Sequence, residues 1–142
     1  MTIRLDDPVA RIMSVPVYSV RSHQHVSDVR RLLREHNFHH MPVVDEGVLV
    51  GMVSSSDLVG LGFGDFGASQ GFLDAYLDTH YPIHQIMRRE LVTIGSTETI
   101  LRAAEILASG RFHALPVVDG RRALKGLVTT TDLVRFLVQL AG

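Results

Sequence analysis

The chain contains one long stretch twice, as FHHMPVVDEGVLVGMVSSSDLV at residues 38–59 and as FHALPVVDGRRALKGLVTTTDLV at residues 112–134. The first part of the stretch recurs 74 positions later and the last part 75 positions later. This slip of one residue falls between DEG and DGRRA, where a turn accepts an insertion at little cost. Upstream, RIM at 11–13 is echoed by QIM at 85–87. Two copies are too few for an open solenoid and predict a pseudo-twofold pair that shares one core.

Each copy predicts the same elements in the order strand, helix, strand, strand, helix, which makes the chain an α/β protein of the α+β kind. VYSV at 17–20 and LVTI at 91–94 predict the first strands. MPVVD and LPVVD predict later strands that begin with proline, where a missing N–H does least harm. Ser or Thr followed by Asp then starts the last helix. The apolar residues at helical spacing are Val26, Val29, Leu32 and Leu33, and then Ile100, Ala103, Ala104 and Leu107.

The motifs of the repeat resemble those of a known family. GMVSSSD at 51–57 and GLVTTTD at 126–132 match the pattern G-x-[VI]-[ST]-x-x-D, and both follow a PVVD strand. On these motifs the chain resembles the tandem CBS domains (cystathionine β-synthase domain pairs). The resemblance implies two pseudo-symmetric CBS units packed sheet to sheet. Residues 1–60 would form the first unit with the N-terminal segment, 61–83 a glycine-rich and helical linker, and 84–142 the second unit.

The aspartate of this signature has a chemistry that can be derived from its position. A ribose offers two neighbouring hydroxyl donors, and one carboxylate can accept both in charge-assisted hydrogen bonds. Asp57 and Asp132 fall in the first turn of a predicted helix, where the helix dipole favours a negative charge. Ser54 and Thr129, three residues earlier, add hydroxyl groups beside the free N–H groups of the helix terminus. The alternative is plain helix capping, because Ser, Thr and Asp are favoured at helix starts.

The resemblance also implies which residues hold a ligand. In the family, adenosine lies in a cleft between the two units, and residues before the PVVD strand contact phosphate. One site would join Asp132, Thr129 and Thr131 to Val17, Tyr18, His39 and His40. The pseudo-symmetric site would join Asp57, Ser54 and Ser56 to Leu91, Val92, His113 and Ala114. Tyr18 departs from the small residue that is common there, and it either stacks on the base or fills the pocket.

The function that follows is a regulatory module that senses adenine nucleotides (AMP, ADP or ATP) and acts on an unidentified partner. The alternatives are binding of S-adenosylmethionine and a ligand-free role in structure or dimerisation. An enzyme is not expected, because Ser and Asp without an activating histidine on the same element are poor nucleophiles. The family forms disc-like dimers, so we expect a homodimer of about 31 kDa. Its predicted apolar stripe is Leu133, Phe136, Leu137 and Leu140.

Two motifs invite other interpretations. GFGDFG at 62–67 matches the dinucleotide fingerprint G-x-G-x-x-G, but SSSDLVGL before it predicts a helix rather than the strand that the fingerprint needs. A glycine-rich tip between helices explains it better. HNFHH places His36, His39 and His40 close together, which raises the question of a metal. They lie where a helix ends and a strand begins, so they share no helix face, and we expect no metal.

Composition narrows the remaining classes. The formal net charge is −1, with 14 Lys and Arg against 15 Asp and Glu, so no basic stripe predicts nucleic-acid binding. The absence of cysteine excludes a disulfide scaffold and fits a reducing compartment. No secretory signal begins the sequence, and no apolar run approaches the ~18 residues that span a bilayer. A cytoplasmic location without membrane contact is therefore the expectation.

Overall fold

The computed structural model describes residues 2–15, 17–61 and 70–142, so the GFGDFG motif lies outside the described residues. The chain divides into two compact units. Tyr18–Leu91 form the continuous unit, and Met1–Val17 together with Val92–Gly142 form the composite unit. The first 17 residues of the chain therefore pack with the second repeat. The boundaries that follow the sequence repeat, 1–60, 61–83 and 84–142, stay a prediction.

The continuous unit is built on a β-hairpin with helices around it. Its elements are α1 (Val26–His36), β1 (His40–Asp45), β2 (Val48–Ser54), α2 (Ser55–Val59), α3 (Gln70–His80) and α4 (Ile83–Ile86). β1 and β2 pair antiparallel through a turn at Glu46 and Gly47, whose φ angles are +50° and +79°. Such a two-residue turn matches the right-handed twist of the strands that it connects.

The composite unit repeats this plan. A short 3-10 helix at Val9–Arg11 is followed by β3 (Ile94–Gly95), α5 (Ile100–Ala108), β4 (Ala114–Val118), β5 (Leu124–Thr129) and α6 (Thr130–Ala141). β3 lies parallel to β4, and β4 lies antiparallel to β5. Both units therefore mix helices with a small sheet, which confirms the predicted α/β fold class.

The predicted helical faces form the cores of the two units. α1 buries Val26, Val29 and Leu33 against β1 and β2, and α5 buries Ile100, Ala103 and Leu107 in the other unit. Each large apolar side chain that is removed from water contributes roughly 1.5–3 kcal/mol. Each helix is followed by a residue in the left-handed region, Asn37 (φ +54°) after α1 and Gly110 (φ +75°) after α5. Gly110 adopts this conformation without the steric penalty that a Cβ would bring.

The predicted first strands are mostly absent. Within the described residues, the run 17–20 pairs only at Val20, and the run 91–94 contributes only its last residue to β3. The reason is proline. Val20 N–H donates to the carbonyl of Pro42 (3.0 Å), and Val44 N–H donates to the carbonyl of Val20 (2.8 Å). The next rung would need an N–H from Pro42, which it lacks, so the parallel ladder stops there.

The position of the prolines within their strands also corrects the prediction. Pro42 and Pro116 are the third residues of β1 and β4 rather than the first. Pro42 stands opposite Met52, whose N–H and carbonyl both pair with Arg88 on the far side of β2. The β1–β2 ladder therefore needs no N–H from Pro42. Proline fits inside the strand because its nitrogen faces the side where pairing has already ended.

The helix α3, which falls within the predicted linker, packs onto α1. The carboxylate of Asp78 on α3 accepts hydrogen bonds from Ser27 N–H (2.8 Å) and Ser27 Oγ (2.6 Å) at the start of α1. Asp74 on α3 pairs with Arg30. The free N–H groups of the first turn of α1 thus find a carboxylate partner from a different helix.

The repeated aspartates hold local turns, Asp45 as the last residue of β1 and Asp119 directly after β4. The Ser22 hydroxyl (2.6 Å) and then the Ser22 N–H (2.9 Å) hold the pKa of Asp45 below its ordinary value. The backbone N–H groups of Ala123 and Arg121 lower the pKa of Asp119 in the same direction. Both carboxylates therefore stabilise the fold in their ionised form.

The apolar stripe predicted on α6 is partly wrong. Phe136 is buried, and Leu133 packs against the core of the composite unit. The exposed apolar side chains of this helix are Val134, Leu137, Val138 and Leu140. The helical period of DLVRFLVQL does not distinguish the buried side from the exposed one, because apolar residues cover more than one side of α6 and two stripes satisfy that period.

Candidate functional site

Each signature aspartate lies at the third position of a helix and closes a capping box. Ser54 N–H donates to Asp57 Oδ2 (2.9 Å), and Asp57 N–H donates to Ser54 Oγ (3.1 Å). Thr129 N–H donates to Asp132 Oδ2 (2.9 Å), and Asp132 N–H donates to Thr129 Oγ1 (3.2 Å). These residues therefore do cap their helices, as the capping alternative predicts. Because the backbone N–H of the capping residue binds Oδ2 in both units, Oδ1 is the oxygen left for another partner.

A segment that follows a repeated methionine runs beside each signature strand. Ser14 exchanges backbone hydrogen bonds with Leu127 of β5 (2.6 and 3.3 Å). Arg88 exchanges them with Met52 of β2 (3.0 and 2.9 Å). Ser14 and Arg88 directly follow the methionines of RIM and QIM, so they occupy equivalent positions of the repeat. The echo of RIM in QIM is visible in the sequence. The strand pairing that follows each methionine is not, because the pairing joins segments far apart in the chain.

The side chains of these equivalent residues both reach the signature aspartate of their own unit. The Ser14 hydroxyl lies 3.0 Å from Asp132 Oδ1 and 3.1 Å from Oδ2. The Arg88 guanidinium donates to Asp57 Oδ1 through Nε (3.2 Å), and its Nη2 lies 3.1 Å from the same oxygen. Neither Ser14 nor Arg88 was among the predicted site residues. One unit thus sets a neutral hydroxyl against its aspartate, and the other sets a cation there.

The signature glycine is required by this close approach. A Cβ on Gly126 would lie 2.7 Å from Met13 Sδ, and a Cβ on Gly51 would lie 2.5 Å from Met87 Sδ. Both values are far below van der Waals contact. Since neither glycine has a left-handed φ, space alone excludes a side chain there. The glycine therefore lets the segment after the methionine lie close enough to reach the aspartate.

The two aspartates differ in exposure as well as in partner. Asp132 is 6% exposed and is the one charged residue that is buried among the described residues. Its further partners are the Thr129 hydroxyl (3.1 Å from Oδ2) and the exposed Arg135 (3.6 Å from Oδ1). The Asp57 side chain is 15% exposed. A buried carboxylate with several donors is held in one orientation, which suits recognition of a fixed diol.

The residues before β1 and β4 lie beside the start of the signature helices. The carbonyl of His39 accepts from Ser55 N–H (2.9 Å), and the carbonyl of His113 accepts from Thr130 N–H (3.2 Å). The side chains of His39 and His113 are exposed. His40 stands opposite Ser54 in the β1–β2 register, as Ala114 stands opposite Thr129 in the other unit. Each unit therefore gathers its own hydroxyl residue and the residues that precede its PVVD strand.

The remaining predicted residues are placed as follows. Ser56 and Thr131 are exposed in the first turns of α2 and α6, Val17 and Leu91 are half-buried, and Val92 is exposed. Tyr18 stacks on His36, with ring centres 4.1 Å apart, and its ring is 5.7 Å from Phe38. The predicted sites join Asp132 to His39, and Asp57 to His113, across the two units. That grouping stays a prediction.

One depression lies near a repeated aspartate that is not part of the signature. An open depression of ≈ 710 Å³ in the continuous unit is lined by residues that include Ser22, His23 and Asp45. The Asp45 carboxylate there is already bound by Ser22. None of the predicted site residues lines this depression.

Comparison with known proteins identifies the family. The model of the CBS domain matches residues 9–63 and 83–139, which is most of the chain. The chain belongs to the CBS-domain family. Its CBS domains are similar to the uncharacterised protein MJ1225 of Methanocaldococcus jannaschii, with 29% identity over 133 residues, 93% of this chain and 46% of that protein. The chain thus spans less than half the length of the first curated relatives that it matches.

Solved CBS pairs share the fold closely. CBSX2 of Arabidopsis thaliana, solved in complex with AMP, matches with a TM-score of 0.79 and 26% identity, covering 96% of this chain and 99% of that one. The CBS pair of protein MJ0100, solved with 5′-methylthioadenosine and S-adenosyl-L-methionine, gives 0.74 and 28%, covering 92% and 95%. Those two proteins therefore bind ligands that differ in their substituents and share adenosine.

Metal-binding clusters and membrane-spanning helices are both absent from the described residues. Within residues 2–15, 17–61 and 70–142, no group of three or more His, Asp or Glu side chains could hold a metal ion. The ring of His36, which the sequence places near His39 and His40, packs in a cluster with those of Tyr18 (4.1 Å) and Phe38 (5.3 Å). Of the helices in the described part of the chain, none is long and apolar enough to span a membrane.

Proposed function

We propose that this CBS pair is a regulatory module that binds an adenosine-containing ligand through the carboxylates of Asp57 and Asp132. The observation that supports it is the pair of solved relatives, because AMP, 5′-methylthioadenosine and S-adenosyl-L-methionine have the adenosine moiety in common. The ribose diol of that moiety is a matched partner for one carboxylate. Two such carboxylates, each fixed by a capping box, stand at equivalent places of the repeat.

When a ligand binds at Asp132, its ribose hydroxyls replace the hydroxyl of Ser14. The Ser14 hydroxyl lies within 3.1 Å of both carboxylate oxygens, and the Ser14 residue is exposed. A ribose diol brings two hydroxyl donors to the same oxygens, while the Thr129 N–H keeps its bond to Oδ2. The carboxylate therefore remains fully hydrogen-bonded in the free and the bound protein. Such an exchange avoids the cost of leaving a buried charge without donors.

An adenine nucleotide is the ligand that we favour over S-adenosylmethionine. The backbones of His39 and His113 lie beside the N-termini of the signature helices, and their exposed imidazoles can donate hydrogen bonds to a phosphate. His40 adds a third imidazole next to Ser54. S-adenosylmethionine carries a sulfonium and no phosphate, so these groups would find only its single carboxylate to bind.

The proposed role is regulation of another protein rather than catalysis. Ser54 Oγ and Thr129 Oγ1 accept hydrogen bonds from their own helix, which uses these hydroxyls for capping. Nothing in that arrangement lowers the pKa of a nucleophile. The regulated partner is unidentified. We also propose a homodimer of about 31 kDa, because exposed apolar side chains such as Leu137 and Val138 of α6 need covering.

Isothermal calorimetry with AMP, ATP, adenosine and S-adenosylmethionine tests the proposal. Replacing Asp132 or Asp57 with Ala should weaken adenosine ligands about 10- to 150-fold at the affected site, since a charge-assisted bond contributes ~1.5–3 kcal/mol. Asp45→Ala is the matched control, because it removes a repeated aspartate that does not belong to the proposed site.

Each outcome of this experiment decides between binding and capping. If Asp132 and Asp57 serve only as caps, their replacement lowers the free energy of unfolding by about 1 kcal/mol and leaves the dissociation constants unchanged. Failure of the wild-type protein to bind any of the four ligands would refute the proposed function altogether. Tighter binding of S-adenosylmethionine than of AMP would keep the adenosine site and overturn the choice of nucleotide.

A further inference from the structure

The two signature aspartates face different chemical groups at one equivalent position of the repeat. Ser14 presents a hydroxyl to Asp132, and Arg88 presents a guanidinium to Asp57. The main chains of the two segments are placed alike, because each exchanges a pair of backbone hydrogen bonds with its signature strand. The difference therefore lies in the side chain alone. It makes the two carboxylates unequal partners for any ligand.

The guanidinium occupies the oxygen that the cap leaves free. Asp57 Oδ2 accepts from Ser54 N–H (2.9 Å), whereas Oδ1 receives Arg88 Nε at 3.2 Å and Nη2 at 3.1 Å. A ribose diol needs access to this same Oδ1. Two hydroxyls cannot approach it closely while two N–H groups of a planar cation already do so.

We propose that Arg88 is a specificity-determining residue that competes with the ribose diol for Asp57, so that the Asp57 site binds adenosine more weakly than the Asp132 site. This inference rests on the proposed function and assigns each site its rank. At Asp132 a ligand replaces the neutral hydroxyl of Ser14, while the exposed Arg135 lies 3.6 Å from Oδ1, beyond hydrogen-bond distance. At Asp57 it must first break an internal ion pair.

The size of the effect follows from exposure. The Arg88 side chain is 71% exposed and that of Asp57 is 15% exposed, so the pair lies at the surface and is screened by water. Exposed ion pairs of this kind typically shift an equilibrium by about two- to fivefold. Salt screens such a pair, so raising the ionic strength should narrow the difference between the two sites for an uncharged ligand.

The test uses adenosine, which carries no phosphate that could itself attract Arg88. In an Asp132→Asn background only the Asp57 site keeps its carboxylate, and adding Arg88→Ser installs there the residue that the other unit has. We expect calorimetry to show about two- to fivefold tighter adenosine binding. Arg89→Ser is the matched control, since Arg89 is the adjacent exposed arginine and its Nη2 binds the carbonyl of His84 (3.1 Å).

The reciprocal substitution provides a second measurement that needs no Asp132 variant. In an Asp57→Asn background, Ser14→Arg should weaken adenosine binding at Asp132 by a similar factor. Unchanged or weaker binding on Arg88→Ser, or adenosine binding that stays undetectable in that variant, would overturn the role of Arg88. If the wild-type protein binds neither adenosine nor AMP, that result would instead count against the proposed function. If Asp132→Asn fails to fold, adenosine is titrated into the Arg88→Ser single variant and fitted to two sites. The larger of the two dissociation constants should then move towards the smaller one, relative to the wild-type protein.

Discussion

Replacing Gly126 with Ala should destabilise the protein through one identifiable clash. The new Cβ would lie 2.7 Å from Met13 Sδ, 2.9 Å from Met13 Cγ and 3.1 Å from the carbonyl oxygen of Ser14. Both methionine atoms lie closer than 3.0 Å and must shift, and the carbonyl of Ser14, which accepts a hydrogen bond from Leu127 N–H (3.3 Å), adds a further tight contact. The Ser14 segment must therefore move outwards, which also draws its hydroxyl away from Asp132.

The expected cost is that of overpacking a closely packed contact, about 1–3 kcal/mol. For a chain of this length each kcal/mol lowers the melting temperature by roughly 4 °C. Urea denaturation followed by circular dichroism measures the free energy of unfolding. Gly120→Ala is the matched control, because a Cβ there meets nothing within 4 Å and the glycine has no left-handed φ. That variant should be neutral or slightly stabilising.

A double-mutant cycle separates the clash from any general effect of alanine. Met13→Ala removes both methionine atoms that the Cβ would meet, so Gly126→Ala should cost clearly less in that background than in the wild type. Equal costs in the two backgrounds would refute the steric explanation, as would a Gly126→Ala protein as stable as the Gly120→Ala control.

Three further predictions concern acid stability, assembly and ligand charge. The pKa of Asp45 is lowered in the folded state by Ser22, so the contribution of this carboxylate to stability is present above about pH 4 and is lost as the pH falls further. Asp45→Asn should therefore lower the urea midpoint at pH 7. The same variant should also flatten the decline of the urea midpoint between pH 5 and 3. Leu137→Glu places a charge on the exposed apolar side of α6 and should convert the proposed dimer into a monomer in light scattering; a monomeric wild type would exclude the dimer. His40→Ala should remove the strengthening of ATP binding between pH 8 and pH 6 if this imidazole contacts phosphate, and an unchanged pH profile in calorimetry would exclude that contact.

Local sequence patterns predicted the parts of the fold that local chemistry controls. The capping residues and the carboxylate at the third position of each signature helix follow from the order Ser or Thr, two residues, Asp, because that order satisfies free N–H groups within one turn. The buried faces of α1 and α5 follow from the helical period. These features require no knowledge of what lies across the fold.

The partners of the aspartates could not be predicted in the same way. Ser14 and Asp132 are 118 positions apart, and no local pattern indicates that the segment after a methionine lies beside β5. The unequal environment of Asp57 could not be predicted for the same reason, since the sequence does not distinguish Arg88 from other surface cations until its strand partner is known. On α6 the choice between Phe136 and Leu137 as the buried residue depends on which side meets the core.

The pairing of Met1–Val17 with Val92–Gly142 has a consequence for synthesis on the ribosome. The continuous unit is one uninterrupted segment and can fold as soon as Leu91 has emerged. The first residues cannot reach their final place until the last third of the chain has been made, because Val9 N–H must find the carbonyl of Glu98 (2.7 Å). During that interval Val9, which ends fully buried, is exposed together with its apolar neighbours. Until residues Val92–Gly142 have been made, this segment lacks the partners that bury it.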